Sequence, residues 1–183
     1  MGISLKKTML AIGLGLAVST QAQALDTVLY TKLANDTIQE ANSGFVANIT
    51  HLIKVQEQLV ELGKKGAHDY IQRHPEHKDI LGTVVDNADN MMNMSLDEIE
   101  DQWHMGKFMK SKGHDLEKLD HFGELFSLMD AIIHPATSYI ALKEYKRTRK
   151  SEHLARASAE LIEVVEHVAH IGHEGGGTQF SSN

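Results

Sequence analysis

The sequence predicts an all-α protein: an antiparallel helical bundle of four main helices plus short helices, following an N-terminal signal peptide. Three observations predict it. Only two prolines occur in 183 residues, no segment alternates apolar and polar residues for long, and apolar residues recur at spacings of three, four and seven along most of the chain.

Lys6 and Lys7 precede an apolar run from Met9 to Val18, and Ala22-Gln23-Ala24 follows with the small-residue pattern of a secretory cleavage site. Residues 1–24 therefore read as a signal peptide, 25–174 as the helical domain and 175–183, beginning with three glycines, as a flexible tail. Thr27 to Lys64 reads as one long helix with Ile38, Phe45, Ile49, Leu52, Leu59 and Leu62 on one stripe, ended by Gly63 and Gly66. His68–His74 forms a short turn. Pro75 suits the first turn of the next helix, where its missing N–H is not needed, and that helix runs to about Asn93.

Ser95-Leu96-Asp97-Glu98 is a capping box and starts a helix at Leu96, with Ile99 and Trp103 on its buried side. Beyond Lys112-Gly113, a helix from Asp115 to Arg147 carries Leu116, Leu119, Phe122, Phe126, Met129 and Ile133 inward. Pro135 interrupts its hydrogen-bond ladder and frees the carbonyl of Ala131, which then needs another partner. Ser151 can cap the last helix, which reaches about Ile171.

Composition narrows the function. The leader carries two lysines and no acids, so its removal takes the net charge from −7 to −9. An acidic surface disfavours nucleic acid and anionic lipid as partners. There is no cysteine, which excludes disulfides, thiolate metal sites, iron–sulfur clusters and thiol chemistry. No stretch past residue 25 reads as a membrane span, so the expected location is periplasmic or secreted. The twelve histidines are several-fold above ordinary usage and all follow the leader.

The histidines fall into groups. On the last helix Glu163, Glu166, His167, His170 and His173 stand three or four residues apart, so that pairs of them can share one cation. His114, Glu117, His121 and Glu124 form a similar strip on the preceding helix. Either strip is also what an ordinary solvated face looks like. Asp130 and His134 differ, because both fall on the inward stripe, where a carboxylate and an imidazole must pair, hydrogen-bond or hold an ion. If the last two helices form a hairpin about Arg149–Ser151, Asp130 and His134 come to face residues 166–170. Glu163, His167 and His170 then converge on them. A further cluster, Met91, Met92, Met94, Trp103, His104, Met105 and Met109, offers soft ligands for a copper ion or simple core packing.

The leading function is an exported carrier, buffer or sensor of a transition-metal ion. Zinc or copper would be held by Asp130, His134, Glu163, His167 and His170, or by His114, Glu117 and His121, with haem b on an axial His134 as a variant. A second copy of the chain, as a homodimer, could complete such a site. The alternative is a non-enzymatic assembly or adaptor subunit with a protein partner in the cell envelope, suggested by the length of the first helix. Catalysis is the weakest reading, since no nucleophile elbow, phosphate-binding glycine loop or His-Glu-x-x-His motif is present.

Overall fold

The computed structural model describes residues 24–44 and 46–171; residues 1–23 of the expected signal peptide and the expected tail lie outside the described residues. Those residues contain seven packed α-helices and no strand. α1 (Thr27–Asn42) starts where Asp26 accepts the backbone N–H of Leu29 at 2.9 Å. The single long helix expected from Thr27 to Lys64 is two helices. Ser43 and Gly44 (φ +71°) turn the chain after α1, and Asn48 caps α2 (Ile49–Arg73) by accepting the N–H of His51. The break withdraws the extended seam that suggested an assembly partner.

Gly63 and Gly66 do not end a helix either, because α2 runs through both to Arg73. They are there for contact. A Cβ on Gly63 would lie 2.4 Å from the carbonyl oxygen of Ala131, and one on Gly66 would lie 2.7 Å from Cβ of Leu25. The helix tolerates the glycines' poor propensity because they let α2 press its backbone against α6.

A 3-10 turn at Pro75–His77 leads into α3 (Lys78–Met91). The capping box forms as expected: Ser95 Oγ accepts from the N–H of Glu98 at 3.2 Å, and Glu98 accepts from the N–H of Ser95 at 2.8 Å. α4 (Leu96–Ile99) then widens into a π turn, Glu100–His104, before Gly106 and α5 (Lys107–Ser111). The π turn buries Trp103 and leaves its neighbour His104 half-buried beside α6.

α6 (Glu124–Thr148) begins nine residues later than expected. Residues 115–123 are a 3-10 turn and irregular chain, in which Asp120 accepts the N–H of Phe122 through its side chain and that of Gly123 through its carbonyl. These local bonds compete with helix formation, and Phe122 ends up 58% exposed, not inward. α6 is apolar nearly all round because it is the central helix, packed on α2, α7 and α3. It has the length and mean hydropathy to cross a membrane, yet 89% of its apolar window is buried by its own neighbours. The helix continues through Pro135, and the freed carbonyl of Ala131 accepts a 2.9 Å hydrogen bond from the hydroxyl of fully buried Tyr30 on α1. Arg149, at φ 62°, ends α6, and α7 (Ser151–Val168) follows with Lys150 in the cap position that Ser151 was expected to fill.

Candidate metal centre

The two-residue link between α6 and α7 sets these helices antiparallel, with Glu160 beside His134 and His167 beside Asp130. The side chains sit on the seam between the helices and are 5%, 5%, 8% and 7% exposed in that order. Burying four ionisable groups requires that they satisfy one another.

His134 Nδ1 donates to Glu160 Oε2 at 2.8 Å, and Glu163 Oε2, on an exposed side chain, is 3.9 Å from the same nitrogen. Glu160 turns its other oxygen to Arg156 Nε at 2.6 Å, and Arg156 also pairs with Glu100 of the π turn. This ties the π turn to α7. From that turn His104 reaches in, with Nε2 2.9 Å from Thr137 Oγ1 and 3.5 Å from Glu160 Oε2. The Thr137 hydroxyl donates to the carbonyl of Ile133, so its oxygen accepts from His104. His104, His134 and Glu160 each place one ligand-type atom within 4.8 Å of the others, a group that could hold a metal ion.

The opposite edge of the His134 ring, Nε2, is 3.8 Å from Asp130 Oδ1, and Asp130 Oδ2 is 3.2 Å from His167 Nδ1. That nitrogen is buried and out of line for a hydrogen bond. A cavity of about 180 Å³ joins the two edges, lined by His104, Asp130, His134, Glu163, His167 and His121 among others.

Electrostatics divide the groups by role. Burial pushes the Asp130 carboxyl up to about 7, helped by the charges of Glu163 and Glu160 against the opposing pull of His134. Burial works against a charged His134, but the Glu160 hydrogen bond and the charge of Asp130 outweigh it and hold its pKa above the ordinary value. Burial likewise works against a charged Glu160, and its bond to His134 lowers it regardless. His104 is lowered by burial, and His167 falls to about 4 through burial and the neighbouring His121, His134 and His170. Neutral imidazoles carry the lone pair a metal needs.

The residues expected from the sequence separate accordingly. Asp130, His134, Glu163 and His167 do converge. His170 stays exposed, its ring 5.1 Å from that of Phe122, and His173 lies outside the described residues. The strip His114, Glu117, His121, Glu124 does not exist as a face, because no helix forms there. His114 lines a separate surface hollow with His68 and Asp79, Glu117 is exposed, and Glu124 is buried against Arg73 of α2. Only His121 of the four reaches the centre, with its ring 4.8 Å from that of His167. The methionine cluster is not assembled as a ligand set: Met91 and Met109 are fully buried while Met105 is 68% exposed.

Two residues of the centre were not anticipated. Glu160 stands seven residues before His167 and so shares its edge of α7, a spacing that could have been read. His104 could not be placed, since the π turn that aims it has no comparable sequence signal. A haem fits poorly: the cavity is smaller than the roughly 300–1,000 Å³ of pockets for drug-sized ligands, and both nitrogens of His134 already face carboxylates. No protein-family model, curated protein or solved structure matches this chain.

Proposed function

We propose that this protein is an exported helical-bundle protein that binds a transition-metal ion, zinc or copper, as a carrier, buffer or sensor in the periplasm or outside the cell. The leader-like sequence supports the location. One observation carries the binding reading: two imidazoles and a carboxylate, supplied by three separate elements, meet within 4.8 Å at a largely buried point. Imidazole and carboxylate suit zinc and copper, and the cysteine-free sequence leaves no thiolate to compete. In this reading His104 Nε2, His134 Nδ1 and Glu160 Oε2 are the ligands and Arg156 fixes Glu160; the ion displaces the proton that His134 shares with Glu160, and the proton that His104 Nε2 gives to Thr137 moves to His104 Nδ1. The buried site and the absence of a recognised catalytic motif favour holding an ion over turning one into a catalyst.

Elemental analysis of tag-free protein from its native host, followed by zinc titration of the metal-free form, tests the reading. H104A and E160Q should each weaken zinc binding by more than the roughly 10–100-fold that loss of an outer-shell partner costs, whereas H114A should leave it unchanged. Zinc bound no more tightly than by a polyhistidine tag, or binding insensitive to H104A and E160Q, would refute it.

A further inference from the structure

We infer that His134 bridges two metal positions, the second lying between Asp130, His167 and the Nε2 edge of the His134 ring. This inference rests on the metal-binding reading above, which concerns the Nδ1 edge alone.

Buried histidine nitrogens are normally partnered, and His167 Nδ1 is a clear exception: the residue is 8% exposed and this atom has no hydrogen bond. The backbone of His121 is close enough to favour a proton on the ring, and with Nδ1 unpartnered that proton belongs on Nε2. A backbone carbonyl that takes the Nε2 proton leaves a lone pair on Nδ1. Anchoring one nitrogen on a carbonyl while the other is bare is how metal-ligating histidines are oriented. That lone pair faces Asp130 Oδ2 at 3.2 Å, an acceptor facing an acceptor once Asp130 has ionised. Two such atoms repel unless a cation stands near both. Completing the group, Asp130 Oδ1 is 3.8 Å from His134 Nε2. Neighbouring ligand atoms around a tetrahedral zinc, with bonds of about 2.0–2.2 Å, are separated by about 3.3 Å; the two Asp130 spacings are near that, but one atom from each of the three side chains does not yet lie within 4.8 Å of the others, so the His134 and His167 rings must close toward each other to share an ion. Asp130, His134 and His167 all line the same cavity.

The two positions then share one imidazole: Nδ1 serves the ion held with His104 and Glu160, Nε2 the ion held with Asp130 and His167. Filling both strips the ring of its last N–H proton, which leaves to solvent. Copper(II) makes the sharing visible, because two copper spins joined through one imidazolate couple and lose their separate paramagnetic resonance signals.

The test titrates the metal-free full chain with copper(II), following stoichiometry calorimetrically and the signal by electron paramagnetic resonance. Two equivalents should bind, and the integrated signal should fall as the second enters. H167A and the near-isosteric D130N should each bind one equivalent, with the full uncoupled signal and an unchanged helical circular dichroism spectrum; the first affinity should change by no more than a few-fold in H167A, and in D130N, which removes a charge beside His134, by no more than roughly 10–100-fold. A wild-type protein that binds one equivalent, lost in H104A, would sink the second position and keep the first. Two equivalents with additive signals, or retained in both H167A and D130N, would also overturn the shared ring. No binding at all would remove both readings.

Discussion

Replacing Tyr30 with Phe isolates one atom whose role the structure makes quantitative. The Tyr30 hydroxyl is the partner of the Ala131 carbonyl, which Pro135 cannot serve because it has no N–H. Phe fills the same space, so no cavity term enters, and the cost is that of a buried acceptor left alone, about 1–3 kcal/mol. For a chain of this size, 2 kcal/mol lowers the melting temperature by about 4–8 °C. Pro135→Ala supplies the missing N–H in the helix itself. In that background Y30F should cost only an ordinary net hydrogen bond, about 0.5–1.5 kcal/mol, leaving a coupling of about 1 kcal/mol between the sites. Urea denaturation of the four proteins in the presence of a chelator measures the cycle. Y30F costing less than about 0.5 kcal/mol, or the same in both backgrounds, would refute the claim that Tyr30 answers the proline. The bond matters for the centre because Ala131 adjoins Asp130 and Pro135 adjoins His134 on the same stretch of α6.

Two further outcomes follow from the same geometry. Gly63→Ala improves helix propensity by about 1 kcal/mol, but the new methyl would stand 2.4 Å from a backbone oxygen that cannot swing away; the net effect should be destabilisation by about 1–3 kcal/mol in urea melts, and a more stable variant would show that α2 and α6 are not pressed together there. Asp130 provides a pH signature in metal-free protein. Its folded pKa of about 7 exceeds its ordinary 3.8, so the folded state holds a proton the unfolded state has released, and this contribution is full below about 4 and lost as pH rises through 7. D130N mimics the protonated form, so its stability advantage over the wild type should grow between pH 4 and 7 to at most about 4 kcal/mol. His167, lowered to about 4, has the opposite sign, losing its contribution as pH falls from 6.5 toward 4, and largely cancels in the comparison. A pH-independent difference between the two proteins would contradict a buried, protonated Asp130.

Much of the centre is legible in the sequence. Asp130 and His134 declared themselves by occupying apolar stripe positions, and a short link after Arg149 implied that the next helix would bring Glu163 and His167 to them. What misled was periodicity across weak boundaries. The apolar spacing from Thr27 to Lys64 continues through Ser43 and Gly44, and that from Leu116 to Phe126 through Asp120 and Gly123. In both places local hydrogen bonds and a turn override the pattern.

The sequence by itself determined that the chain is helical, that it lacks thiols, that a capping box starts a helix at Leu96 and that the Ala131 carbonyl must seek a partner, since each follows from periodicity, composition or covalent geometry within a few residues. Tertiary structure alone decided that Tyr30 is that partner, that Gly63 is a contact point, and that His104 and Glu160 join His134. Those outcomes depend on how separate helices dock, and docking is fixed by close packing summed over many side chains, with no local code for which distant atom arrives.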